Sequence, residues 1–230
     1  MKLNLDNTCL EDYGLILESD PDVSVPERDI AYTSIPGRMH GSLTQKLGWK
    51  DLTIQCDVAC YSFTSIKKLL RNVHGLIFDA ATLWFDDDPD FYYKIKSVKI
   101  GSAPIDMQTV AKFQLVFTCD PFIYQNTWLQ SYGSSFNMNN DSVLDAEPYW
   151  KIYGNGDIQL SVNGMVFKIE KITDYVEIDS QALSVYKGNT VLDTSMTGDF
   201  PILKPGINEI KTVSGNVTKI EIDPRWMWLP

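Results

Sequence analysis

Residues Thr109–Cys119 set the terms for this chain. Ala111, Phe113, Leu115, Phe117 and Cys119 fall on one side of an extended backbone, and Val110, Lys112, Gln114 and Val116 on the other. A period of two residues belongs to a strand with one buried face; a helix cannot satisfy it. The same period recurs. In Arg28–Ile35, Ile30, Tyr32 and Ser34 oppose Asp29, Ala31, Thr33 and Ile35. Leu47–Ala59 reads as one long strand with Leu52, Ile54, Cys56 and Val58 together. Lys2–Asp6 and Gly14–Glu18 read as short opening strands, and Ser19-Asp20-Pro21-Asp22 as a turn. Pro36-Gly37-Arg38 is a second turn, because proline presets its first position and glycine accepts positive φ. Met39–Gln45 is polar and reads as a loop.

Leu83–Ile100 reads as a hairpin. Thr82–Phe85 is a short apolar run, and Asp86-Asp87-Asp88-Pro89-Asp90 has the residues of a turn. Phe91–Ile100 then resumes, with Phe91, Tyr93 and Ile95 on one face and Tyr92, Lys94 and Lys96 on the other. One segment departs from the strand period. Phe63, Ile66, Leu69, Leu70 and Val73 recur at helical spacing; Ser62 or Thr64 can cap the helix and Gly75 can end it. Lys67, Lys68 and Arg71 cover its solvent side. Thr109–Cys119 is expected to end at Asp120-Pro121-Phe122, where proline interrupts a ladder.

From Gln125 to Asp145 asparagine, serine and glycine dominate, and the domain boundary is placed in Gln125–Ser134, with a strand starting near Phe136. Beyond it, short strands alternate with tight turns. Tyr149–Tyr153 and Ile158–Val162 flank a turn at Gly154-Asn155-Gly156-Asp157. Asn163-Gly164 is a strong hairpin signal. Met165–Ile172 follows, with Val166, Lys168, Glu170 and Ile172 opposite Phe167 and Ile169. Tyr175–Ile178, Ala182–Tyr186, Gly206–Val213 and Val217–Ile222 continue the series, separated by Lys187-Gly188-Asn189, Pro205-Gly206 and Ser214-Gly215-Asn216. Strands at roughly ten-residue spacing with no helical stripe indicate an antiparallel sandwich.

Three elements of the first half resemble the N-terminal domain of the distal tail (Dit) proteins of long, non-contractile-tailed phages of Gram-positive bacteria. They are the aromatic strand with Asp87, Asp88, Pro89, Asp90, Tyr92 and Tyr93; the turn Pro36, Gly37, Arg38; and F-T-C-D-P-F-I-Y, with Pro121 and Phe122. The second half resembles the galectin-like domain of the same family. Its motifs are T-G-D-F-P-I-L-K-P-G-I-N-E-I (Gly198, Asp199, Phe200, Pro201, Pro205, Gly206, Asn208), Y-G-N-G-D-I-Q-L-S-V-N-G, and the closing I-E-I-D-P-R-W-M-W-L-P (Pro224, Arg225, Trp226).

The resemblance implies a mainly β chain: an N-terminal β-barrel or split-sheet domain with one helix over residues 1–130, then a galectin-like sandwich over 131–230. It implies a non-enzymatic virion protein, the distal tail or baseplate hub. Six copies form a ring joining the major tail tube protein to the tail-associated adsorption or lysin protein. The C-terminal domains carry receptor-binding or side proteins in some phages, and DNA passes through the channel. No cofactor and no membrane are involved, and the protein is assembled in the host cytoplasm. A head-to-tail ring needs two different complementary surfaces. The N-terminal sheet and the helix face with Phe63, Ile66, Lys67, Leu70 and Arg71 are expected to supply them.

The bulk numbers agree with this class. The 230 residues are 44% hydrophobic, enough for one large or two ordinary cores. Lys plus Arg number 20 against 30 Asp plus Glu, a net charge of −10. Holding nucleic acid through phosphates needs Lys/Arg stripes, and none is present. The opening residues lack the apolar core of a signal peptide, and no apolar run approaches a membrane span. Cys9, Cys56, Cys60 and Cys119 show no C-x-x-C pair and no metal spacing, so free thiols are expected.

Four catalytic or binding readings compete. The Asp86–Asp90 carboxylates invite a metal or glycosidase reading, but a hairpin tip points adjacent residues apart and lacks the spaced ligands of a calcium loop. Gly154–Asp157 resembles a single calcium β-roll repeat, which works only in tandem. His40, in a loop, and His74, at the helix end, have no catalytic neighbours in sequence. Trp128, Trp150, Trp226 and Trp228 suggest sugar stacking, the basis of an alternative reading as a carbohydrate-binding accessory module. Sugar-binding galectins use a His and Arg set on adjacent strands; this half has no histidine, and Arg225 is its only arginine. Trp150 and one of Trp226 and Trp228 are therefore expected in the core.

Overall fold

The computed structural model describes residues 1–34, 36–37, 42–62, 65–101 and 110–230. The chain divides into two compact units, Met1–Tyr124 with Leu229–Pro230, and Gln125–Trp228. Each has its own apolar core. The fold is mainly β with one α-helix.

In the first unit the strands are β1 (Leu3–Leu5), β2 (Thr8–Cys9), β3 (Leu15–Leu17), β4 (Asp22–Val23), β5 (Arg28–Ser34), β6 (Ser42–Trp49) and β7 (Leu52–Tyr61). After the helix α1 (Ile66–Asp79) come β8 (Thr82–Phe85), β9 (Phe91–Ile100) and β10 (Val110–Gln125). An antiparallel sheet runs in the order β2-β1-β8-β9-β10-β7-β3, with β4 also beside β7. Its centre is the β7–β10 ladder, from Val110↔Tyr61 to Cys119↔Leu52. The two alternating patterns place Leu52, Ile54, Cys56 and Val58 with Ala111, Phe113, Leu115 and Phe117 in one core. Ile66, Leu70, Val73 and Ile77 of α1 pack into the same core.

Five sequence readings change here. Met39–Gln45 is not wholly a loop, because Ser42–Gln45 belongs to β6 and pairs with β5 as a separate two-stranded sheet. That hairpin is largely exposed, so polar side chains suit it. Leu47–Ala59 is two strands, broken at Lys50-Asp51. The helix passes Gly75 to Asp79, because Leu76 and Ile77 extend its apolar stripe, and His74 is therefore within it. The helix has no side-chain N-cap; Ser62 Oγ instead accepts the Ser65 N–H at 3.2 Å, while Thr64 lies outside the described residues. Finally, β10 continues through Pro121 to Gln125. Gln114 accepts from Gly101 N at 2.8 Å toward β9, so by alternation residue 121 faces the β7 side. The β7 ladder has already ended at Cys119↔Leu52, so proline breaks no bond to β7.

The second unit contains β11 (Gln130–Tyr132), β12 (Ser135–Asn140), β13 (Tyr149–Val162), β14 (Met165–Ile172), β15 (Tyr175–Asp179), β16 (Ser184–Lys187), β17 (Thr190–Val191), β18 (Met196–Thr197) and β19 (Gly206–Asp223). Two long strands organise it. The first half of β13 pairs with β15 and the end of β19; its second half pairs with β14 and the start of β19. β11, β16 and β17 extend the first layer, while β12 and β18 extend the second. Trp150, Ile152, Ile178, Ile220 and Ile222 of one layer meet Leu160, Val162, Phe167, Ile169 and Ile210 of the other.

The turns read at Gly154–Asp157 and Ser214–Asn216 are therefore bulges inside continuous strands, where the register shifts. Glycine is required by close approach: a Cβ on Gly154 would lie 2.3 Å from the Asn216 carbonyl oxygen. Ile172 also moves. Lys171 has φ 57°, which breaks the alternation and turns Ile172 into the core with Ile169, while Val166 is 48% exposed. The Asn163-Gly164 hairpin forms as read, with φ 52° and 83° and Val162 opposite Met165.

Candidate functional site

The β8–β9 tip is a tight turn. Asp88 N–H donates to the Phe85 carbonyl at 3.2 Å and Phe91 N–H to the Asp88 carbonyl at 3.3 Å. Asp86 Oδ1 accepts the Lys2 N–H at 2.5 Å. Asp86–Asp90 are all exposed, and among the described residues no cluster of His, Cys, Asp or Glu could hold a metal. Nearby, Asp6 anchors the hairpin base by accepting from Thr82 N (2.8 Å) and Thr82 Oγ1 (2.9 Å). Sequence reading missed this role.

Behind the turn lies a cavity of about 290 Å³. Phe85, Phe91, Tyr93 and Ile123 form its apolar wall, and Asp20, Asp87 and Asp88 add carboxylates. Burial pushes the Tyr93 phenol up to about 12, helped by the charges of Asp88, Cys119 and Asp87. The phenol is therefore neutral at ordinary pH. No sequence signal marks this cavity, since it is assembled from segments far apart in the chain. It has an apolar floor with an acidic mouth.

The predicted helix face divides in two. Ile66 and Leu70 are buried in the core of their own unit, whereas Lys67, Lys68 and Arg71 are exposed. Phe63 lies outside the described residues. The three cations are placed against local preference. Lys67 and Lys68 occupy the first turn, where the helix dipole disfavours positive charge by about 0.3–1 kcal/mol each. Lys67 and Arg71 are also a like-charged i,i+4 pair. No carboxylate occupies that first turn.

Pro36 and Gly37 form an exposed turn with Gly37 at φ 82°; Arg38 and His40 are outside the described residues. Tyr92 stacks on Tyr124 at 5.7 Å, and Phe122 meets Trp49 edge-on at 6.3 Å. Pro121 is buried. In the second unit Asn208 is fully buried and satisfied: its Nδ2 donates to Lys204 O (2.7 Å) and Gly206 O (3.0 Å), pinning the Pro205-Gly206 turn. Its Oδ1 accepts from Lys204 N and Asn163 Nδ2, which ties that turn to the hairpin at Asn163. Gly198 approaches the Val166 carbonyl closely, Phe200 packs on the core, and Pro201 accepts from Ser180 Oγ at 2.8 Å; Asp199 is exposed. Pro224 is buried and Trp226 packs on the core, as does Trp150, while Trp128 is 70% exposed.

Arg225 grips Asp179 with two parallel bonds, Nη1–Oδ1 at 2.8 Å and Nη2–Oδ2 at 3.0 Å. Burial works to raise the Asp179 pKa, but Arg225 and the N–H groups of Ala182 and Gln181 outweigh it and hold the carboxyl below its usual range. The arginine a sugar site would require is thus committed to a structural pair. His74 sits in α1 with its ring 6.3 Å from that of Phe78. The four cysteines are free, and burial pushes the Cys56 and Cys119 thiols up to about 12. Such thiols are poor nucleophiles.

No family model and no curated protein sequence matches the chain. A solved structure does: the crystal structure of the phage SPP1 Dit (gp 19.1) protein, described as a paradigm of the hub adsorption apparatus in phages infecting Gram-positive bacteria. The likeness has a TM-score of 0.69 at 16% identity and covers 96% of this chain and 98% of that one. A likeness that spans nearly the whole of both chains leads to one conclusion about the architecture: the chain has the Dit fold.

Proposed function

We propose that this chain is a non-enzymatic structural protein of a phage virion, the distal tail or baseplate hub. Residues 1–130 form the ring of six copies, and residues 131–230 carry the galectin-like sandwich. The ring joins the major tail tube protein to the tail-associated adsorption or lysin protein and lets DNA pass. Receptor-binding or side proteins dock on the C-terminal domain. The protein is made in the host cytoplasm and ends in the tail tip.

The observation that carries this reading is the near-complete mutual coverage with a phage hub protein, 96% and 98%. A shared module alone would have left part of one chain unmatched. The charge of −10 suits a channel that must not retain phosphate. No helix among the described residues is long and apolar enough to cross a membrane.

Native mass spectrometry with negative-stain imaging of the purified chain tests the reading. The expected species has six times the 26.1 kDa chain mass and an open centre. A chain that stays monomeric across the accessible concentration range, and is retained on cell-wall polysaccharide, would instead be the carbohydrate-binding module.

A further inference from the structure

We propose that the acidic-mouthed cavity at the β8–β9 tip of one copy receives the Lys67–Lys68–Arg71 face of α1 from a second copy. The inference rests on the ring reading and names two surfaces of its head-to-tail contact.

Both halves are visible in a single chain. Asp20, Asp87 and Asp88 are exposed beside the cavity and make no ion pair among the described residues. Lys67 and Lys68 make none either, and Arg71 donates only to the Lys67 carbonyl, at 3.1 Å. The first surface has more than carboxylates. Tyr93 is 8% exposed and lines the cavity, and its hydroxyl has no hydrogen-bond partner among the described residues. The phenol oxygen borders the cavity and can accept a hydrogen bond from an incoming donor.

A lysine or arginine side chain matches each feature. Its alkyl stem lies along Phe85, Phe91 and Ile123, and its charged head reaches the carboxylates and the phenol oxygen. The aromatic rings add cation–π attraction. The protein already uses that contact internally: Lys94 Nζ is 3.9 Å from the Tyr124 ring centre, and the Arg28 guanidinium 4.1 Å from that of Trp49.

The occupant is a second copy because α1 supplies the matching charge on an otherwise acidic chain. Two of these cations, Lys67 and Lys68, sit in the first turn, where an isolated helix would favour carboxylates, and Arg71 adds a like charge four residues after Lys67, so their placement answers to something other than helix stability. A cavity and a helix face are different patches, so the contact is heterologous and can close into a ring.

Charge swapping tests this. One variant carries Asp20→Lys, Asp87→Lys and Asp88→Lys; a second carries Lys67→Glu, Lys68→Glu and Arg71→Glu; a third carries all six. Every site is exposed, and circular dichroism confirms folding. Each half-reversal is expected to weaken self-association by at least about tenfold in sedimentation velocity, and the six-fold swap to restore most of it. An oligomer that survives the aspartate reversal means the cavity serves another partner or none, and overturns the proposal. So does disruption by both halves without rescue in the swap. A solitary wild-type chain overturns the ring reading itself, which separates the two failures.

Discussion

Gly215 meets Asp157 backbone to backbone: a Cβ on Gly215 would stand 2.4 Å from the Asp157 carbonyl oxygen and 2.8 Å from Ile158 Cα. Gly215 also has φ 95°, a conformation that L side chains rarely adopt. The two β13 and β19 bulges are thus locked together where the long strands pass between layers. Gly215→Ala is expected to cost about 2–4 kcal/mol, from backbone strain plus overpacking. Gly156 has φ 81° but open space around its Cβ position, so Gly156→Ala incurs strain alone, about 1 kcal/mol. Urea unfolding of the two variants reads the difference. Equal losses would mean that contact between the bulges contributes nothing.

The same two bulges explain how far the sequence could be read. Gly-Asn-Gly-Asp and Ser-Gly-Asn have the chemistry of a turn, and a bulge draws on the same residues. What separates the two outcomes is the opposing strand, remote in sequence, which local reading does not supply. Where turn and partner are adjacent, as at Asn163-Gly164 and Asp86–Asp90, reading succeeded. The alternating cores of β7 and β10 were legible because each strand carries its own period. The cavity at Tyr93 was not, since Asp20, Phe85 and Ile123 converge only after folding. Pro121 looked like a terminator because its missing N–H matters only where a neighbouring strand awaits it.

Gly75 gives a prediction of opposite sign. It lies inside α1, exposed, with nothing within 4 Å of a built Cβ. Alanine there lowers the conformational entropy of the unfolded chain and clashes with nothing. Gly75→Ala is expected to stabilise the protein by about 0.5–1 kcal/mol. A loss of stability would mean that the helix stops at Gly75.

The thiols should react in two classes. Cys9 is partly exposed, whereas Cys56, Cys60 and Cys119 are buried. Cys56 and Cys60 are four residues apart on β7, about 13 Å along the strand, too far to bridge. A colourimetric disulfide reagent should titrate one thiol in the native protein and all four in denaturant. Two or more fast native thiols would place the β7–β10 ladder in a partly open state.

The Arg225–Asp179 pair makes stability depend on pH in one direction. The folded Asp179 pKa is depressed, while an unfolded aspartate titrates at about 3.9. The unfolded state therefore binds a proton first as pH falls. The contribution of the pair is complete above that value and disappears as pH drops through the lower, folded one. Asp179→Asn keeps the shape and removes the charge, leaving Arg225 partly buried without its anion. At neutral pH it is expected to cost about 2 kcal/mol. Once the pH lies below the depressed folded pKa of Asp179 the variant and the parent should converge, because both then carry a neutral group at this position. Denaturant curves at the two pH values test the sign. A gap that persists unchanged in acid would show that packing around Asp179, and not its charge, holds Arg225 in place.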